Sequence, residues 1–138
     1  MITVVLIEDY VKICAMIKQM LAGASDIQVI GDAADGLTGY DLVLSLRPHV
    51  VVIDLGLWQF EGAASTQRLK TLMQDITLIG MSAGLESFKA DRMLEVGADA
   101  CIAKEDMREN LVPTISKARS ATLQVNALFH KSIHQGDE

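Results

Sequence analysis

The sequence predicts an α/β fold, a doubly wound five-stranded parallel sheet with helices on both faces. Three observations lead there. Strand-like and helix-like apolar patterns alternate along the chain. Five such strand–helix units fit into 138 residues, too few for separate sheets and enough for one real core. The run Val50-Val51-Val52-Ile53 is apolar at every position, as in a central strand buried on both faces. Right-handed crossovers then favour the strand order 2-1-3-4-5, with strands one and three side by side at the point where the winding reverses.

Taken in order, Ile2 to Ile7 is a β-branched strand, and Val11 to Leu21 carries Ile13, Cys14, Ile17, Met20 and Leu21 at helical spacing. Gly23 and Ser25-Asp26 end that helix. Ile27 to Ala33 is a short strand, Asp35-Gly36 a turn, and Leu37 to Leu46 the second helix, which Pro48 stops. Strand three is Val50 to Ile53, and a third helix is expected from about Gly62 to Met73. Strand four is Ile76 to Met81, a fourth helix covers about Glu86 to Val96, and Gly97 ends it. Strand five is Ala98 to Ala103. The last helix begins near Asp106, an N-cap candidate with Glu109 at the capping-box position. In the tail, residues 120–138, Ala121, Val125, Leu128, Phe129 and Ile133 keep helical spacing. They form a stripe that packs on its own domain, or serves as a dimer contact or a signalling helix leading to an effector.

Composition narrows the function classes. Half the residues are apolar and only 4% aromatic, which suits an aliphatic α/β interior. A net charge of −6 argues against direct nucleic-acid binding, which needs clustered Lys and Arg. No apolar stretch approaches membrane-spanning length. Met1 runs straight into a strand without a basic leader, so no signal peptide is expected and the cytoplasm is the expected compartment. Cys14 and Cys101, far apart in apolar contexts, are expected as buried free thiols.

The chemistry-bearing residues sit where strands end. Asp54 closes strand three, and open α/β sheets place ligands at the carboxyl ends of their strands. Alone, Asp54 is as well explained by a helix cap. Glu8-Asp9 ends strand one in the same way, and three carboxylates in one crevice repel each other unless a cation intervenes. Hard oxygen ligands with room for water suit Mg²⁺. The cation would neutralise an incoming phosphoryl group, and a carboxylate can serve as its acceptor. Ser82 offers a hydroxyl after strand four, and Lys104 an ammonium after strand five.

These residues, within the segments VVLIEDY, GDAADG, RPHVVVIDLGL, Glu61-Gly62, MSA and GADACIAKED, give the chain its resemblance to the receiver domain of bacterial response regulators, over about residues 1–119. GDAADG, and Lys104 followed by acids rather than Pro, look most like receivers of LuxR-type transcriptional regulators. The resemblance implies the flavodoxin-like (CheY-like) receiver fold and a role for each residue. Asp54 matches the phosphoacceptor, Asp9 the direct Mg²⁺ ligand and Glu8 its acidic partner. Gly56 matches the position whose backbone carbonyl completes the metal shell. Ser82, Ala83 and Lys104 match the phosphoryl-binding and switch set. It implies a sensor histidine kinase as phosphodonor, no enzymatic activity beyond self-catalysed phosphotransfer and autodephosphorylation, and an output exerted by dimerisation or through an effector domain.

Three departures stand out. Cys101 occupies the place of the family's switch aromatic, and a thiol cannot swing between buried and exposed positions to the same effect. Trp58 stands where Pro is usual, and His49 replaces a common Asp at the strand entrance. Small Gly56 and Gly84 beside the site leave the expected acyl phosphate open to water. His130 and His134 have a metal-compatible spacing but no third ligand in view. Two other functions compete with phosphorylation-dependent signalling. One is a phosphorylation-independent or atypically switched interaction module, suggested by Cys101. The other is a small-molecule phosphatase or phosphotransferase, disfavoured because the chain has no insertion to build a substrate cap.

Overall fold

The computed structural model describes residues 1–57, 62–83, 91, 94–95 and 97–136, with side chains described throughout these except at 62–63 and 129–136. Among the described residues five parallel strands form one sheet in the order β2-β1-β3-β4-β5. They are β1 (Ile2–Ile7), β2 (Ile27–Ala33), β3 (Val50–Asp54), β4 (Thr77–Ser82) and β5 (Ala100–Ala103). Helices α1 (Val11–Ala22), α2 (Gly36–Leu46) and α3 (Gly62–Leu72) connect them, and a terminal helix runs from Met107 to Gly136. The predicted order and parallel sense of the sheet are those found. The helix expected at 86–96 lies mostly outside the described residues.

Strand alternation divides the core into two layers. Val4 and Leu6, with Val50, Val52, Ile79 and Met81, face Ile17 and Leu21 of α1 and Leu111 and Ile115 of the terminal helix. Val5 and Ile7, with Val51, Ile53 and Leu78, face Val43 of α2 and Leu69 of α3. Most of these side chains are fully removed from water, each contributing about 1.5–3 kcal/mol of transfer free energy. The all-apolar run at 50–53 thus reflects a strand covered on both faces.

Local chemistry sets the element ends. Asp35 is the N-cap of α2: its carboxylate accepts from the Thr38 N–H at 2.8 Å, so the residue read as a turn starts the helix. Gly39 lets α2 sit on the end of β1, since a Cβ there would lie 2.5 Å from Ile7 Cδ1. Arg47, in the left-handed region at φ 48°, ends α2 with its N–H on Val43 O, one residue before Pro48. Ile76 is buried, but its N–H closes a turn onto Met73 O, so β4 begins one residue later than the apolar run suggests. β5 is likewise shorter at its start, although Asp99 N–H already reaches Leu78 O. Lys104–Asp106 form a 3-10 turn, and the terminal helix begins at Met107.

That helix continues past residue 119 and stays tied to the domain. Thr122, buried, bonds Thr77 Oγ1 at 2.9 Å, and Asn126 Nδ2 donates to Gln74 O at 3.0 Å. Arg119 donates to Asp75 O. Asp99 gathers Lys70 Nζ at 2.6 Å, Leu78 N–H at 2.8 Å and the Thr122 hydroxyl at 3.5 Å. Val125 and Leu128 are exposed; the side chains of Phe129, His130, Ile133 and His134 lie outside the described residues.

Candidate functional site

The register of the sheet assembles the site. Ile7 pairs with Ile53, which sets Glu8 abreast of Asp54 where β1 and β3 end. Ser82 pairs with Ala103, so Lys104 follows directly beside the end of β4. Crossovers leave from this edge in opposite directions on the two sides of β1 and β3, opening the crevice where such sheets bind ligands.

Glu8 and Asp54 are buried and Asp9 exposed, and one oxygen of each carboxylate lies within 4.8 Å of the others. Asp54 Oδ1 accepts from Gly56 N–H at 2.9 Å, within the 3-10 turn Leu55–Leu57. Glu8 Oε1 accepts from Tyr10 N–H at 3.1 Å. Lys104 Nζ lies 2.9 Å from Asp54 Oδ2, 3.2 Å from Glu8 Oε2 and 3.4 Å from Glu8 Oε1. It also lies 5.3 Å from the centroid of the Tyr10 ring.

The electrostatics follow from this crowding. Burial, reinforced by the negative charge of Asp54, pushes the Glu8 carboxyl above its ordinary range, against the Tyr10 N–H and Lys104. Burial opposes the Lys104 charge, but the Asp54 and Glu8 carboxylates outweigh it and hold the ammonium above its ordinary pKa. Glu8 Oε2 is buried and receives no hydrogen bond; its only described partner is the nearby ammonium, poorly aligned for one. Three carboxylates that each bring an oxygen within 4.8 Å of the others offer the hard oxygen donors a divalent cation prefers, so the residues present fit such an ion.

The predicted site residues are therefore brought together, with differing completeness. Glu8, Asp9, Asp54, Gly56 and Lys104 form one contiguous cluster. Ser82 is the buried last residue of β4, and Ala83 follows it, exposed, at the same edge. Trp58, Glu61 and Gly84 lie outside the described residues. Cys101 is half-buried and pairs with Gly80, two register steps before the strand-end pair Ser82 and Ala103. A Cβ on Gly80 would lie 2.8 Å from Leu55 Cδ2 and 3.3 Å from Cys101 Sγ, so Leu55 fills the space that Gly80 and Cys101 leave. Burial raises the pKa of the Cys101 thiol and of the Cys14 thiol, neither of which is in a disulfide. His49 sits at the opposite edge, where its Nδ1 accepts from Thr3 N–H at 3.0 Å, remote from the carboxylates as expected. Sequence reasoning missed Tyr10: its place directly after Glu8-Asp9 was visible, but its contact with a lysine 94 positions away was not.

Comparison with known proteins agrees with this geometry. The family model described as "Response regulator receiver domain" matches residues 4–116. The transcriptional regulatory protein LiaR of Bacillus subtilis is 28% identical over 118 residues, which span 86% of this chain and 56% of LiaR. The nitrate/nitrite response regulator protein NarL of Escherichia coli K12 is 26% identical over 121 residues, 88% of this chain and 56% of NarL. The chain thus spans about half the length of these curated relatives. Among solved structures, a DNA-binding response regulator of the LuxR family from Staphylococcus aureus superposes with a TM-score of 0.77 at 21% identity, covering 86% of this chain and 99% of that one. The parallel sheet, the strand-end carboxylates and the family match together place the chain in the response regulator receiver domain family, most like the receivers of LuxR-type regulators.

Proposed function

We propose that this chain is the phosphoacceptor module of a two-component regulator, accepting a phosphoryl group on Asp54 from a sensor histidine kinase. The observation that carries the reading is the convergence of Glu8, Asp9 and Asp54 within 4.8 Å beside the Lys104 ammonium. An Asp54 oxygen attacks phosphorus, the P–O bond forms as the P–N bond to the donor histidine breaks, and that histidine leaves with a proton. Water later returns the phosphoryl group to phosphate and Asp54 to a carboxylate. Asp9, Asp54 and the Gly56 carbonyl would hold Mg²⁺, with Glu8 acting through water, and the ion would supply charge neutralisation and alignment. Lys104, already on Asp54, would pair with a phosphoryl oxygen, and Ser82 and Ala83 border the same edge.

The unit carrying this chemistry is residues 1–119, with the tail, residues 120–138, serving as a helix extension or a linker to an effector domain. The half-length match to transcriptional and response regulators supports transcriptional output through a domain outside this sequence. The exposed Val125 and Leu128 suit a homodimer contact or the approach to that domain. With a net charge of −6, direct DNA contact is assigned to the effector. Among the described residues no helix is long and apolar enough to cross a membrane, in keeping with the cytoplasmic setting of this reading.

Cys101 favours a second reading, an atypically switched or phosphorylation-independent interaction module. With Leu55 packed into the space beside Gly80 and Cys101, the relay from Asp54 to the output surface has no aromatic to move at this position. Acetyl phosphate with Mg²⁺, followed by intact mass and oligomeric state, separates the two. The first reading expects a single phosphate adduct that is absent in Asp54→Ala and a change of assembly upon phosphorylation. No adduct, or an adduct without any change of assembly or partner binding, favours the second.

A further inference from the structure

Tyr10 is fixed by its backbone. Its N–H donates to Glu8 Oε1 at 3.1 Å, and its carbonyl accepts from Cys14 N–H at 2.9 Å in the first turn of α1. Its side chain caps nothing and is largely exposed, at 62%, a poor location for a ring whose only task is burial. The ring centroid instead lies 5.3 Å from Lys104 Nζ. The ammonium is thus bounded by the Asp54 and Glu8 carboxylates and by an aromatic ring. A lysine carries a compact charge on four rotatable carbons, so carboxylates alone leave it free to follow either acid. A ring held by the backbone of the acid-bearing loop restricts that freedom and attracts the cation electrostatically.

We propose that Tyr10 is a positioning residue, its ring holding the Lys104 ammonium against Asp54 in the orientation that meets an incoming phosphoryl group. The proposal rests on the reading of Asp54 as phosphoacceptor. Tyr10 touches neither the acceptor oxygen nor the phosphorus; it acts through Lys104. The role belongs to the ring and not to the phenol, so Phe and Trp retain it while Leu and Gln do not. Glu8 keeps its backbone N–H partner in every one of these variants.

The test uses the full chain with acetyl phosphate and saturating Mg²⁺, following adduct formation by intact mass in Tyr10→Phe, Tyr10→Trp, Tyr10→Leu and Tyr10→Gln. The non-aromatic variants are expected to form adduct about two- to fivefold more slowly, the range of an exposed cation–π contact, and the aromatic variants to match the wild type. A second readout is independent of phosphorylation. The Lys104 ε-methylene protons are expected at upfield, ring-shifted positions in the wild type and Tyr10→Phe, and at ordinary lysine positions in Tyr10→Leu and Tyr10→Gln. Wild-type rates in both non-aromatic variants, equal slowing in Tyr10→Phe, or unshifted Lys104 protons in the wild type would overturn the proposal. A wild type that forms no adduct while its Lys104 protons are ring-shifted would instead defeat the phosphoacceptor reading and leave the contact a structural one.

Discussion

Lys104 Nζ lies 2.9 Å from Asp54 Oδ2, joining the ends of β5 and β3 across the intervening β4. The same ammonium reaches Glu8 Oε2 at 3.2 Å, so one cation balances the two buried carboxylates of the site. A divalent ion bound beside it would neutralise the same carboxylate charge.

Lys104→Met keeps side-chain length and removes the charge. Breaking a fully buried ion pair costs about 3–5 kcal/mol; partial exposure of Lys104 reduces the expected loss to about 1–2 kcal/mol in urea denaturation at neutral pH without metal. Millimolar Mg²⁺ should stabilise the variant more than the wild type, because no ammonium already offsets the carboxylate charge. Equal increments in both proteins would show that the two cations do not share a site.

Gly80 tests the packing behind the altered switch position. A Cβ there meets Leu55 Cδ2 at 2.8 Å and Cγ at 3.1 Å, so Gly80→Ala should cost about 1–3 kcal/mol through overpacking. Gly80→Ala with Leu55→Ala should lose less than the sum of the two single variants. Additive losses in a double-mutant cycle would place the strain elsewhere.

Thr122→Val preserves shape and removes the hydroxyl that bonds Thr77 and approaches Asp99. Leaving the buried Thr77 hydroxyl without this partner should cost about 1–2 kcal/mol. Amide exchange over residues 119–126 should accelerate together with it. Unchanged exchange there would mean that the polar contacts do not hold the extension to the domain.

His49 gives a pH dependence with a definite sign. Its Nδ1 accepts from Thr3 N–H, so this nitrogen is unprotonated in the fold. Burial first, then Arg119 and the N-terminal amine, lower its pKa from the ordinary 6.5. The unfolded chain therefore binds a proton more readily, and His49 withdraws stability as pH falls below about 6.5 toward the depressed value. His49→Asn, with an amide oxygen in place of Nδ1, should lose less stability than the wild type between pH 7.5 and 5.5. Parallel pH profiles of the urea midpoint would remove His49 from the account.

The parts of this molecule that could be read in advance are those in which one residue type at one strand end carries the information. Asp54, Glu8, Asp9, Ser82 and Lys104 each terminate or follow an apolar run, and sheet order alone brings those ends together. Contacts that depend on side-chain reach across the finished fold could not be read. Tyr10 meets Lys104, Thr3 meets His49, and Thr122 meets Thr77 only once strands and helix are adjacent. Element starts were blurred where a buried residue serves a turn: Ile76 is as apolar as the strand it precedes, but its N–H faces Met73. Asp35 looked like a turn because an N-cap and a turn share the same local chemistry.

The central claim is that Asp54 is the acceptor, and the most direct measurement locates the phosphoryl group itself. After acetyl phosphate and Mg²⁺ treatment, borohydride reduces an acyl phosphate to the alcohol, which converts a phosphorylated aspartate to homoserine. Peptide mass spectrometry should then find homoserine at position 54, dependent on Mg²⁺ and strongly reduced in Asp9→Ala. Homoserine at another carboxylate, or none under conditions that phosphorylate an established receiver, would contradict the account.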